Sequence, residues 1–136
     1  MDISIIIVNY NVKELIIPCI DSITKYMVTK NSYEIIVVNN SINERLEKNL
    51  DADFQNIKLI NNSNNVGFSK AVNQGFKKAS GEYILILNPD TLFIDDSLEK
   101  MLQRAKKSNN PCIIGPKIMS AKMRPEKSHW KKPRLI

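Results

Sequence analysis

Residues 65–91 read NVGFSKAVNQGFKKASGEYILILNPDT, and this stretch decides the fold. Behind Gly67, the residues Phe68, Ala71, Val72, Gly75, Phe76 and Ala79 recur at the spacing of one helical face. Ser80-Gly81 then stops the helix, with glycine where a C-terminal cap is expected. Tyr83 to Leu87 is a continuous apolar run of strand length, closed by Asn88-Pro89-Asp90. Proline cannot donate to a sheet ladder, so the strand must end there. A strand apolar on both faces belongs in a parallel sheet covered on both sides.

The same alternation extends outward. Ile3 to Val8 is a run of isoleucine and valine, broken only by Ser4 and bounded by Asn9-Tyr10-Asn11. Asn11 and Glu14 have capping-box spacing, and Leu15, Ile16, Cys19, Ile20, Ile23 and Met27 follow at helical spacing. Glu34 to Val38 reads as a second buried strand ending at Asn39-Asn40-Ser41, Ile42 to Leu50 as a short helix, and Ile57 to Ile60 as a third strand. Asp95-Asp96-Ser97 opens a last helix with Leu98, Met101, Leu102 and Ala105 inward, and Cys112 to Ile114 is a fifth strand candidate before Gly115-Pro116. Strands alternating with helices predict an α/β fold, mainly a parallel sheet with helices on both faces.

The chain carries a net charge of +6. Seven of its twenty basic residues and one of its fourteen acids lie from Lys117 onward, which leaves thirteen of each in residues 1–116. The body is neutral and the basic character is local to the tail. This divides the sequence into an α/β domain, 1–116, and a basic tail, 117–136, and gives no reason to expect nucleic acid as partner. Cys19 and Cys112 are far apart and form neither a CxxC nor a Cys/His cluster, which argues against zinc or a disulfide framework. An acid at position 2 stands where a signal peptide needs a basic region, and no run approaches the ~20 apolar residues that span a bilayer. The expected location is the cytoplasm.

In open parallel sheets, ligands gather outside the carboxyl ends of the strands. Three polar clusters fall there: Asn9-Tyr10-Asn11, Asn39-Asn40-Ser41 and Asn88-Pro89-Asp90. They serve either as turn formers or as a site. A dinucleotide GxGxxG loop and a P-loop are both ruled out, because the first turn reads NYNVKE without glycine. The only histidine, His129, lies in the tail, which disfavours Ser-His-Asp chemistry. Asp90 remains as a carboxylate able to hold Mg²⁺ or Mn²⁺, with diphosphate oxygens and water completing the shell. Asp95 and Asp96 are read as a helix start.

The segments ISIIIVNYN, EIIVVNNS, NVGFSKAVNQGFKKASGEYILILNPDT and IGPKIM together resemble family 2 glycosyltransferases, especially their rhamnosyltransferase-like branch. The resemblance runs in order from Ile3 to the end of the chain. It implies the nucleotide-sugar-binding portion of a GT-A enzyme, with a UDP- or dTDP-sugar donor and a glycan or lipid-linked acceptor. Val8 through its backbone, Tyr10 through its ring and Asn39 would then hold the nucleoside. The family usually has aspartate at the Asn39 position. Asn88-Pro89-Asp90 stands where the family has its DxD-like metal motif, with Asp90 at the metal-binding end and Asn88 beside it. Gly67, Lys70 and Asn73 would lie near the donor, at a helix start that favours anions. The family's inverting transfer uses a carboxylate base from an acceptor-binding half. Nothing after Pro116 matches its acidic motif, since Glu126 is the only acid there. The base is therefore expected in a C-terminal part that this chain lacks, and donor binding without transfer, by an inactive module or one half of a split enzyme, is the alternative. The basic tail is a candidate for contact with the inner face of a membrane or for self-association.

Overall fold

The computed structural model describes residues 1–27, 32–44, 46 and 56–126. The strands are β1 (Ile3–Asn9), β2 (Tyr33–Asn39), β3 (Ile57–Asn61) and β4 (Tyr83–Leu87), and the helices are α1 (Lys13–Tyr26), α2 (Phe68–Phe76) and α3 (Ser97–Lys106). The strands form one sheet in the order β3-β2-β1-β4. Every pairing is parallel, so all four carboxyl ends lie on the same side.

β1 and β2 are central, which is why their runs are apolar on both faces. Ile3, Ile5, Ile7, Ile35 and Val37 pack with Ile16, Cys19, Ile20 and Ile23 of α1 and Leu98 and Leu102 of α3. Ile6, Val8, Ile36 and Val38 point the other way and pack with Ala71 of α2. Helices thus cover both faces, as the sequence predicted. Gly75 lets α2 sit close on the sheet, since a Cβ there would stand 2.6 Å from Ile6 Cγ2. Phe68 and Phe76, placed by their spacing on the same face as Ala71 and Gly75, are more than half exposed.

Three local expectations need correction. No fifth strand forms among the described residues. Cys112 and Ile113 are exposed, and the three-residue run between Pro111 and Gly115-Pro116 is too short to pair. An isolated antiparallel bridge, Met119 with Pro125, is the only pairing described after β4. Asn11 is not the cap of α1, because it takes a left-handed φ of 56° and Val12 occupies the cap position. Gly81 does not end α2 through a left-handed turn. It is required because a Cβ there would meet Ser4 N at 2.4 Å, where the chain crosses β1. The helix expected over 42–50 falls largely outside the described residues, as do residues 127–136 of the tail. No described helix is long and apolar enough to cross a membrane.

Candidate functional site

Placing β4 directly beside β1 brings two distant polar loops together. Val8, Tyr10, Val12 and Leu15 from the first strand-to-helix connection, and Asn88, Pro89 and Asp90 from the loop after β4, line one cleft of about 260 Å³. Val8 is buried and forms part of the apolar wall, whereas the Tyr10 ring is 52% exposed. Asn88 and Asp90 are exposed. Among the described residues no hydrogen bond or ion pair engages the Asp90 carboxylate. Its charge is felt below the cleft, where burial first and Asp90 second push the Cys19 thiol up to about 12.

Asn39 is placed differently from what the sequence suggested. It is buried within an amide network rather than in the cleft lining. Register aligns Asn9 with Asn39 and Asn39 with Asn61 at the ends of three neighbouring strands. Asn39 Oδ1 accepts from Asn9 Nδ2 at 2.9 Å and from the Ser41 backbone N–H at 3.0 Å. Its Nδ2 donates to the Glu44 carbonyl at 2.9 Å and to Asn61 Oδ1 at 3.1 Å. Two acceptances and two donations use the whole capacity of a side-chain amide. A bound base could take a hydrogen bond from Asn39 only by displacing one of these partners.

Asn9 and Glu44 are the residues sequence reading missed. Asn9 is fully buried, and its Nδ2 lies 2.8 Å from Glu44 Oε2 and 3.1 Å from Ser41 Oγ. The Ser41 hydroxyl also accepts from the Asn11 backbone N–H at 2.7 Å. Partial burial alone would raise the Glu44 carboxyl. Hydrogen bonds from Asn9, Ser41 and the Lys13 backbone, with the charge of Lys13, outweigh it and hold Glu44 below its ordinary value. The only sequence signal was an acid shortly after a polar strand end.

Gly67 precedes α2 with a φ of 83°, a left-handed conformation suited to glycine. Its N–H donates to Asn65 Oδ1 at 2.9 Å, and Asn40 Nδ2 reaches its carbonyl at 3.5 Å. Asn62 and Gln74 exchange reciprocal amide bonds of 2.8 and 2.9 Å, which tie α2 to the end of β3. Lys70 and Asn73 are exposed on the side of α2 turned away from Ala71 and Gly75. Gly67, Lys70 and Asn73 are not among the residues lining the cleft.

A lone carboxylate can serve a metal only in partnership with a ligand. No group of three or more His, Cys, Asp or Glu side chains converges among the described residues. Mg²⁺ typically binds through one or two carboxylates, with phosphate and water completing its shell. The unengaged Asp90 carboxylate fits that pattern.

The parallel sheet with its strand-end cleft is a GT-A fold. The crystal structure of S. aureus TarS 1–349 in complex with UDP superimposes with a TM-score of 0.66 at 20% identity, covering 91% of this chain and 43% of that one. The chain belongs to glycosyl transferase family 2, whose pattern residues 4–134 match. It is 31% identical over 122 residues to the poly(ribitol-phosphate) beta-glucosyltransferase of Bacillus spizizenii, covering 85% of this chain and 19% of the relative. Over 114 residues it is also 31% identical to the UDP-Glc:alpha-D-GlcNAc-diphosphoundecaprenol beta-1,3-glucosyltransferase WfgD of Escherichia coli, covering 83% and 44% respectively. The chain spans less than half the length of each of these relatives.

Proposed function

We propose that this chain is the donor-binding portion of an inverting glycosyltransferase. The donor, a UDP- or dTDP-sugar, lies at the carboxyl ends of β1 and β4. The nucleoside rests against Tyr10 and the wall made by Val8, and the diphosphate turns towards Asn88 and Asp90. The observation that carries this reading is that Tyr10 and Asp90, distant in sequence, line one cleft. The named donor of the Escherichia coli relative and the UDP in the TarS complex support the same ligand class.

Asp90 would hold Mg²⁺ or Mn²⁺ by a carboxylate oxygen, and such an ion would neutralise charge growing on the departing diphosphate. Tyr10 orients the nucleoside, and the apolar wall excludes water from one side of it. Asn39 supports the site from beneath, with its base contact replaced by bonds to its neighbours. Gly67, Lys70 and Asn73 stay as outer contacts, reached only by a donor extending across the ends of β1 and β2. The rhamnosyltransferase-like branch rests on the resemblance of the sequence segments to that branch and is retained only as part of this proposal.

Transfer also requires a base at the acceptor hydroxyl. Among the described residues Asp90 is the only carboxylate in the cleft lining, which favours a second reading, nucleotide binding without turnover. Titration calorimetry with UDP and with dTDP, each with and without Mn²⁺, tests both readings. Metal-dependent binding that Asp90→Ala weakens at least tenfold is expected. Binding indifferent to metal and to Asp90 removes the metal assignment, and no binding to either nucleotide removes the donor reading. Release of free sugar from UDP-glucose separates a slow enzyme from a pure binding module.

Three exposed cations of the tail are described, Lys117, Lys122 and Arg124. Peripheral contact with an anionic bilayer belongs to the same proposal, at about 1 kcal/mol for each cation near the surface. Sedimentation with phosphatidylserine vesicles at low salt is expected to carry the protein down; its absence there rejects the contact.

A further inference from the structure

We propose that Glu44 is a positioning residue for the nucleoside subsite, acting through the loop that presents Tyr10. This rests on the reading that Tyr10 holds the nucleoside.

The loop between β1 and α1 has little to hold it. It turns through a left-handed Asn11, and neither Asn11 nor Val12 caps α1 with its side chain. Helix starts leave backbone N–H groups unpaired, and these need an acceptor from elsewhere. Glu44 approaches this start from the turn after β2, near enough for the Lys13 N–H and the Lys13 charge to help hold its carboxyl down. Its Oε2 accepts from Asn9 Nδ2 at 2.8 Å, and the same Asn9 Nδ2 lies 3.1 Å from Ser41 Oγ. Asn9 precedes Tyr10 directly, Ser41 accepts from the N–H of Asn11, and Lys13 begins the helix. Glu44 thus fastens Asn9 directly and the Asn11 side through Ser41, one on each flank of the half-exposed Tyr10. Asn9, Ser41 and the Lys13 N–H are all donors here, so only a group that accepts with both oxygens serves all three. An amide would turn its NH₂ towards one of them. Lys13 is the charged neighbour of Glu44, and its pairing with the carboxylate favours the ionised form.

The test is a double-mutant cycle on the whole chain. Glu44→Gln is expected to weaken UDP binding about tenfold, with Glu44→Asp recovering part of the loss. On the background of Tyr10→Ala, Glu44→Gln is expected to cost nothing further, because residues that act through one another are not additive. Additive losses, or unchanged affinity per folded molecule in Glu44→Gln, overturn the proposal. A nucleotide-free arm separates failure here from failure of the donor reading. Amide exchange of Asn11 and Lys13 is expected to accelerate in Glu44→Gln, or in Glu44→Asp should the glutamine variant not fold. Unchanged protection there overturns the positioning role even where nucleotide binds, and wild-type protein that ignores UDP while its exchange depends on Glu44 sinks only the donor reading.

Discussion

At the amino ends of the strands, Glu34 is buried and closed in. Its Oε1 accepts from Ser4 Oγ at 2.6 Å and from the Ser80 backbone N–H and hydroxyl at 2.7 Å each, and Lys58 Nζ lies 2.6 Å from Oε2. At the carboxyl ends, Glu44 is also ringed by donors, yet it sits beside an open cleft with an exposed tyrosine and an unengaged aspartate. Both carboxylates tie loops to strands, but only Glu44 holds a residue, Asn9, that adjoins two lining residues of the cleft. The lower network joins β2 to β1, β3 and the α2–β4 turn, so its work is stability. The upper network leaves Asp90 and Tyr10 exposed at the cleft, which is what a site awaiting a ligand requires. Chain connectivity in a parallel sheet assigns these jobs, because ligands bind in the crevice outside the carboxyl ends of the strands.

If that division is right, the largest stability losses come from the lower end. Glu34→Ala leaves Lys58, Ser4 and Ser80 without their acceptor and is expected to cost about 3 kcal/mol in chemical denaturation. Gly81→Ala drives a methyl into the backbone of β1, 2.6 Å from the Ile3 carbonyl carbon, and is expected to cost about 2 kcal/mol. Acid acts on the same group. Burial alone would raise the Glu34 carboxyl, but Lys58, Ser4 and Ser80 lower it to about 2 from an unfolded value of 4.5. A depressed carboxylate contributes its full stability above the unfolded value and loses it as pH falls through the folded one. Stability is therefore expected to decline between pH 4.5 and 2, and the Glu34→Ala variant to show a shallower decline. An equally steep acid transition in the variant would move the lower lock to other groups, Asp2 first.

Much of this was legible in the sequence, for a physical reason. A strand buried on both faces must be apolar throughout, and β1 and β2 announced themselves that way; β4, equally apolar and read as buried, lies at the edge of the described sheet with Ile86 half exposed. The meeting of Tyr10, Asn88 and Asp90 followed from the rule that ligands collect at carboxyl ends. Less legible was anything decided by a partner distant in the chain. The spacing of Asn11 and Glu14 looked like a capping box, but Asn11 turns left-handed to meet Ser41 and Val12 takes the cap position. Asn39 looked like a free acceptor, and only the aligned ends of β1 and β3 reveal that its amide is saturated. Gly81 read as a helix cap when its reason was a close crossing of β1. The Cys-Ile-Ile run had strand composition, but it is short, flanked by Pro111 and Gly115-Pro116, and stays unpaired with Cys112 and Ile113 exposed. Family membership was legible, whereas the named relatives transfer glucose and lend the rhamnosyltransferase-like branch no support.

At the upper end, the same comparison expects stability and function to come apart. Asp90→Ala removes an exposed side chain without protein partners, so its unfolding free energy is expected to stay within about 0.5 kcal/mol of wild type, while metal-dependent nucleotide binding is lost. A large stability loss would mean that Asp90 is a structural residue.

The smallest effect concerns the thiol beneath that loop. Cys19 lies 3.9 Å from the Asn88 carbonyl and is fully buried, whereas Cys112 is exposed. Burial is the larger reason that the Cys19 thiol stays protonated, and the Asp90 charge the smaller. With a thiolate-specific reagent at neutral pH, Cys112 is expected to react promptly and Cys19 only as fast as the protein opens. Asp90→Asn removes the minor cause and keeps the major one, so Cys19 should stay protected in that variant. Rapid labelling would show that charge, rather than packing, guards the floor of the cleft. The upper end would then be far looser than the lower, and Glu44 would be holding a loop over a mobile base rather than over a rigid one.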